Sequence, residues 1–151
     1  MSYQGKREEG NNINMEDLSL HILDIAENSI RAHAKNVKIV ILENAEDDLL
    51  TLTIEDDGEG MDGRTKENAV NPFFTTKQGK KTGLGLAFLS QSAEEANGTL
   101  KVESEPGKGT RIQATFRLGH IDRKPFGNLN DTIKCLKIAH PEIHITFNHF
   151  K

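Results

Sequence analysis

Residues 111–118, Arg-Ile-Gln-Ala-Thr-Phe-Arg-Leu, place Ile112, Ala114, Phe116 and Leu118 in strict alternation with Arg111, Gln113, Thr115 and Arg117. Side chains along a strand point to opposite faces with a period of two, so the segment predicts a strand with one covered face and one wet face. Sheets of that kind carry their helices on one side. Working outward, Thr99 to Glu103 reads as its partner strand around the turn Glu105-Pro-Gly-Lys-Gly109. Val37 to Leu42 and Leu50 to Ile54 read as a hairpin joined through the acidic turn 43–48. Two helices supply the cover. From Glu16 to about His33, Leu18, Ile22, Ile25, Ala26, Ser29 and Ile30 fall on one arc at about 100° per residue. His21, Asp24, Glu27, Asn28 and Arg31 fall on the other arc, which Leu20 interrupts. Leu84 to Ala96 turns Leu86, Leu89, Ala93 and Ala96 inward and stops at Asn97-Gly98. The pattern predicts a two-layer α/β sandwich with a mixed, mostly antiparallel sheet and helices on one face.

The rest of the chain is organised around that unit. Residues 1–14 are polar and aperiodic and read as a disordered tail, residues 15–118 as the main domain, and residues 119–151 as a linker, a helix 129–140 and a strand 143–147 that adds to the sheet edge. Residues 62–69 read as a short helix, and 70–82 as a loop rich in Thr, Lys and Gly, of a length that is usually functional or mobile. At 151 residues, 35% of them apolar and 28% charged, the chain suits one globular domain. A net charge of −4 with both signs intermixed argues against nucleic acid as a partner. There is no apolar stretch of bilayer length and no apolar core of a signal peptide, so no membrane association and a cytoplasmic location are expected. Cys135 is the only cysteine, which rules out an internal disulfide, and it reads as a packing residue. The six histidines show no metal-ligand spacing and read as surface or packing groups.

Five short blocks carry the chemistry. Asp24 and Asn28 stand one turn apart and leave the same helix face. An oxygen pair so placed can hold a hard cation with substrate phosphates, with Asp24 orienting or deprotonating an attacking group; from the helix alone, a solvated polar face joined by an i,i+4 hydrogen bond is the favoured reading. Arg31 could meet a phosphate or pair with Glu27. Asp56-Asp-Gly58-Glu-Gly60 follows a strand, where ligands are often bound, and its glycines permit positive φ and close backbone approach. A carboxylate there that accepts from an exocyclic amine would favour adenine, although an acidic strand-to-helix turn is the plain alternative. Residues 71–77, Asn-Pro-Phe-Phe-Thr-Thr-Lys, and 82–86, Thr-Gly-Leu-Gly-Leu, flank a lysine-bearing stretch and end at a helix N-terminus, whose N–H groups and dipole favour anions. Gly107-Lys-Gly-Thr110 is, taken alone, a hairpin turn.

In order and spacing the five blocks resemble the GHKL superfamily of ATP-binding domains, shared by sensor histidine kinases, DNA gyrase B, the mismatch-repair ATPases and a heat-shock chaperone. The resemblance runs from about Met15 to Leu118. Residues 27–35 look like the mismatch-repair form of the first block, whereas 71–77 with 82–86 look like the histidine-kinase lid. The resemblance implies an ATP sandwich of the Bergerat type that binds ATP and Mg2+. It places Asp56 on the adenine amine with Thr110 in support, and Gly58, Gly60 and Met61 around the base. It places Asn28 on magnesium, Arg31 where many histidine kinases contact phosphate, and Thr76, Lys77, Thr82, Gly83, Leu84 and Gly85 about the phosphates, with 71–82 as a lid. Four residues before the magnesium Asn, the hydrolysing members carry a glutamate base and histidine kinases commonly an asparagine; this chain carries Asp24.

The expected function is therefore a stand-alone Mg-ATP-binding protein of the histidine-kinase-like type. It would hydrolyse ATP or transfer its γ-phosphate to a separate protein, with Asp24 as the catalytic residue. The alternative is a non-catalytic, ATP-dependent conformational switch or regulatory subunit that binds a partner protein. Residues 119–151 would either cap the sheet or build a homodimer.

Overall fold

A computed structural model of the chain describes residues 17–70 and 85–151. Helix α1 spans Leu18–Arg31, strand β1 Asn36–Asn44 and strand β2 Leu49–Asp56. Helix α2 spans Gly63–Ala69, and helix α3 Gly85–Glu95. Strands β3, Leu100–Glu105, and β4, Gly109–Arg117, precede helix α4, Leu129–Ala139, and strand β5, His144–Phe150. The strands form one mixed five-stranded sheet in the order β3-β4-β2-β1-β5.

The alternation in β4 settles how the layers meet. Ile112, Ala114 and Phe116 are buried, as are Leu50, Leu52 and Ile54 on β2 and Val37, Ile39 and Ile41 on β1. Those residues pair across the antiparallel ladders, Ile39 with Ile54 and Ile54 with Ile112, so the covered face is continuous over three strands. Against it pack Leu18, Ile22 and Ile25 of α1 and Leu86, Leu89 and Ala93 of α3. Strand β5 joins β1 in parallel, Asn36 opposite His144 through Leu42 opposite Phe150, and extends the sheet at its edge. Helix α4 carries the chain from β4 to β5 and buries Leu129, Ile133 and Leu136.

Two residues depart from the sequence reading. His21, assigned to the polar arc of α1, is buried and its Nε2 lies 2.9 Å from Ser92 Oγ of α3. The second helix covers that flank, and the hydroxyl gives the imidazole the partner that burial demands. Cys135, expected to pack, is exposed, because the apolar face of α4 runs through Leu129, Ile133 and Leu136 instead.

The first turn of α1 is capped from two directions. Asp17 accepts from the Leu20 N–H at 3.0 Å, and the Leu18 and Ser19 N–H groups donate to Pro125 O and Phe126 O at 2.8 and 2.9 Å. Four N–H groups at a helix start have no partner within the helix, so the linker between β4 and α4 satisfies donors that would otherwise need water. No helix among the described residues is long and apolar enough to cross a membrane.

Phe116 is fully buried on the covered face of a central strand. Phe116→Ala is expected to lower the unfolding free energy by about 3–5 kcal/mol, read as a shift of the urea midpoint at unchanged m-value. A shift below about 1 kcal/mol would mean the two layers do not meet at this side chain.

Candidate functional site

Asp56 ends β2 beside the last turn of α1. Its Oδ2 accepts from Ser29 Oγ at 2.5 Å, and its Oδ1 accepts from the Gly58 N–H at 2.8 Å. Each carboxylate oxygen offers two lone-pair positions, so these bonds fix the group's orientation and leave acceptor capacity for a ligand. The carboxylate is on the wall of a cavity of about 220 Å³. Ile25, Asn28, Ser29 and Ala32 line it from α1, and Gly60 and Met61 from the turn after β2. Ala69 of α2, Leu86 of α3 and Thr110 and Ile112 of β4 complete it. The walls of this slot are largely apolar, and the oriented Asp56 carboxylate is a hydrogen-bond acceptor among them.

The slot exists because two turns touch. Gly60 has φ +74°, and a Cβ there would fall 2.0 Å from Glu105 O; Gly109 has φ +93°, and its Cβ would fall 2.1 Å from Asp56 O. Only glycine permits both the conformation and the approach. Gly107 N–H donates to Glu59 O at 2.6 Å and Glu59 N–H to Ala32 O at 2.8 Å, so the turn after Asp56 is tied to the β3–β4 turn and to the end of α1. Ser104 Oγ accepts from the Met61 N–H at 2.8 Å and lies 2.8 Å from Thr110 Oγ1.

Asp57 anchors the opposite side of this turn. Its carboxylate accepts from the Lys35 and Asn36 N–H groups at 2.8 and 2.9 Å and from Asn36 Nδ2 at 2.7 Å. Those bonds, the Asn36 side chain first, hold its pKa down from the ordinary 3.8 to about 2.

At the α1 end of the cavity, Arg31 Nη2 donates to Asn28 Oδ1. Asp24, one turn earlier, is exposed and lies against the start of α3, where a Cβ on Gly85 would come 3.0 Å from the Asp24 Cβ. Crowding by surrounding atoms raises the Asp24 carboxyl above its ordinary value; the Arg31 charge works against that rise and Glu27 adds to it.

Of the sequence-derived candidates, Asn28, Asp56, Gly60, Met61 and Thr110 meet at this cavity, with Gly58 behind Asp56 and Gly85 beside Asp24. Arg31 reaches Asn28 and makes no ion pair with Glu27 among the described residues. Thr110 stands opposite Asp56 in the β2–β4 register, but its hydroxyl bonds to Ser104, and the carboxylate is held by Ser29 and Gly58. Thr76, Lys77, Thr82, Gly83 and Leu84, and with them the expected lid, lie outside the described residues. Sequence reading missed Ser29 as a polar partner: it fell on the inward arc of α1, and a serine on an inward arc is itself a signal that something polar faces it. Ser104 carried no such signal, since it sits in an alternating edge strand where a hydroxyl is ordinary.

The chain is thus a sandwich of one sheet and a helical layer, with a largely apolar cavity and an oriented carboxylate at a strand end. The chain belongs to the histidine kinase-, DNA gyrase B-, and HSP90-like ATPases, whose family model matches residues 14–120, and it is an ATP-binding domain of that family. It is 33% identical over 96 residues to sporulation kinase C of Bacillus subtilis (strain 168), a match over 64% of this chain and 22% of that one. It is 35% identical over 95 residues to sporulation kinase E of the same organism, over 62% of this chain and 13% of that one. A solved structure of full-length ShkA in complex with AMPPNP shares the fold, with a TM-score of 0.52 and 21% identity over 64% of this chain and 20% of ShkA. The match thus spans less than a quarter of each of these relatives.

Because the folded pKa of Asp57 is depressed, its contribution to stability is complete above the ordinary value of 3.8 and disappears as pH falls through about 2. The unfolding free energy should therefore fall more steeply between about pH 4 and pH 2 in the wild type than in Asp57→Asn. Parallel acid limbs in urea titrations of the two proteins would remove Asp57 as the anchor of this turn.

Proposed function

We propose that the domain binds Mg-ATP with the adenine in the slot and its phosphates towards Asn28 and Arg31, and that it hydrolyses the γ-phosphate or passes it to a separate protein. The observation that carries this reading is the Asp56 carboxylate, oriented by Ser29 and Gly58 on the wall of an otherwise largely apolar slot. Adenine's exocyclic amine is the donor such an acceptor selects, and the apolar walls suit the purine faces.

Magnesium fits the donor set at the other end. Asn28 offers an amide oxygen, and an oxygen donor together with ATP phosphates and retained waters is what this cation takes. When bound, the ion would neutralise phosphate charge. In the structure Arg31 occupies Asn28 Oδ1, so this reading has the guanidinium leave the amide for a phosphate, a better acceptor because it is charged. Asp24, at the start of α3, is the base in this proposal. Its raised pKa makes it a stronger base than an ordinary aspartate.

Asp56→Asn is expected to weaken ATP about 10- to 100-fold by isothermal titration, the value of a hydrogen bond to a charged acceptor. Wild-type affinity in that variant would undo the adenine assignment. Asp24→Asn should retain ATP affinity and lose Mg-dependent phosphate release or transfer. In the wild type that turnover should decline as pH falls through a value above the ordinary aspartate range. Unchanged turnover in Asp24→Asn would remove Asp24 from the chemistry, and an absence of turnover in both proteins would favour an ATP-dependent switch that acts through a bound partner.

A further inference from the structure

Glu27 and Arg31 stand four residues apart on α1, in the order and spacing at which a glutamate captures an arginine most readily on a helix. They do not pair among the described residues. Glu27 Oε2 is instead 3.4 Å from His140 Nε2, and Arg31 donates to Asn28. A carboxylate can only accept, so the ring presents its Nε2–H to Glu27.

His140 comes from far along the chain. It is the C-cap of α4, its own N–H bonded to Leu136 O, and it lies beyond residue 120, where the family match ends. Its side chain is 22% exposed and that of Glu27 35%, so the contact is partly sheltered. The helix that carries it is fixed: Leu129, Ile133 and Leu136 are buried in the common core, and the linker before it bonds to the first turn of α1. His140 is therefore held in place by the fold and reaches a carboxylate that stands at the right spacing to compete for Arg31.

We propose that His140 is a positioning residue for the nucleotide site: by engaging Glu27 it keeps that carboxylate off Arg31 and leaves the guanidinium available to an ATP phosphate. The inference rests on the reading of Arg31 as a phosphate contact. Without His140, Glu27 turns to Arg31, or stands as an uncompensated negative charge close to the phosphates. Both effects oppose phosphate binding. Neither alters the bond from Ser29 to the Asp56 carboxylate, on which the adenine reading rests.

The test is calorimetric titration of ATP and, separately, of adenosine into the wild type, His140→Leu, and the double variant His140→Leu with Glu27→Gln. In His140→Leu, ATP should bind about two- to fivefold more weakly, the scale of a partly screened helix ion pair with added charge repulsion. Adenosine, which has no phosphate, should bind as in the wild type. Glu27→Gln added to His140→Leu should restore ATP affinity, because the amide no longer competes for Arg31. An equal loss for ATP and adenosine would make His140 a structural support of α1 and overturn the proposal, and so would a double variant as weak as His140→Leu. Arg31→Gln separates this inference from the reading beneath it. Unchanged ATP affinity in Arg31→Gln removes the phosphate role of Arg31 itself, whereas weakened binding there with no effect of His140→Leu overturns only the role of His140.

Discussion

The contact on which the rest of this domain depends is the backbone touch between the turn that leaves β2 and the turn that joins β3 to β4. At Gly60 and Gly109 a Cβ would overlap a carbonyl oxygen, at 2.0 and 2.1 Å, and Gly107 N–H closes on Glu59 O. That approach holds the end of β2 against the start of β4, with Asp56 opposite Thr110. It also turns the chain towards α2, whose first turn is capped by Asp62 accepting from the Thr65 N–H. The slot is the space left when a helix, a turn and two strand ends are held this closely. Substitution at either glycine would disturb the register of the central strands and the position of the acceptor together.

Much of this was legible in the sequence because it follows from periodicity. A period of two in residues 111–118 forces a sheet with one covered face, and a period near 3.6 in residues 18–30 supplies a helix to cover it. The hairpin, the short helix and the added edge strand follow from apolar runs and turn residues. What periodicity cannot give is the identity of the neighbour. His21 fell on the polar arc and read as a surface or packing group, because nothing along the sequence says that α3 will lie on that flank of α1. Cys135 read as packing because nothing near it in the sequence supplies the electropositive setting of a reactive thiol, whereas the buried stripe of α4 passes one residue to its side. Thr110 was placed opposite Asp56, but the choice between Thr110 and Ser29 as the hydroxyl that reaches the carboxylate is a matter of side-chain direction, which strand pairing does not specify.

Residues beyond 120 lie outside the family match, yet they are part of the same core. Their linker caps α1 through Pro125 O and Phe126 O, and Gly127, at φ +73°, sits so close that a Cβ would fall 2.5 Å from Ser19 Oγ. Strand β5 completes the sheet beside β1, and Ile145 is buried with it. A domain of this size buries little surface to spare, so covering one more strand and capping one more helix is a substantial share of its margin.

Helix α1 is where these constraints converge. The linker holds its first turn, Ser92 of α3 meets it at His21, His140 of α4 meets it at Glu27, and the sheet meets it through Ser29 and Asp56. Asp24, Asn28 and Arg31 therefore stand on an element clamped from several sides. In the reading proposed above Asp24 is the base; positioning errors of about 1 Å are costly in group-transfer chemistry, and an aspartate has a reach one methylene shorter than glutamate. A short side chain can serve only if its helix cannot drift. Gly85, with no Cβ to push α3 away from Asp24, is the second half of the same arrangement: it brings the neighbouring helix up to the shorter carboxylate. Burial by surrounding atoms raises the Asp24 pKa, so in the proposed reading the packing that places this carboxylate also strengthens it as a base.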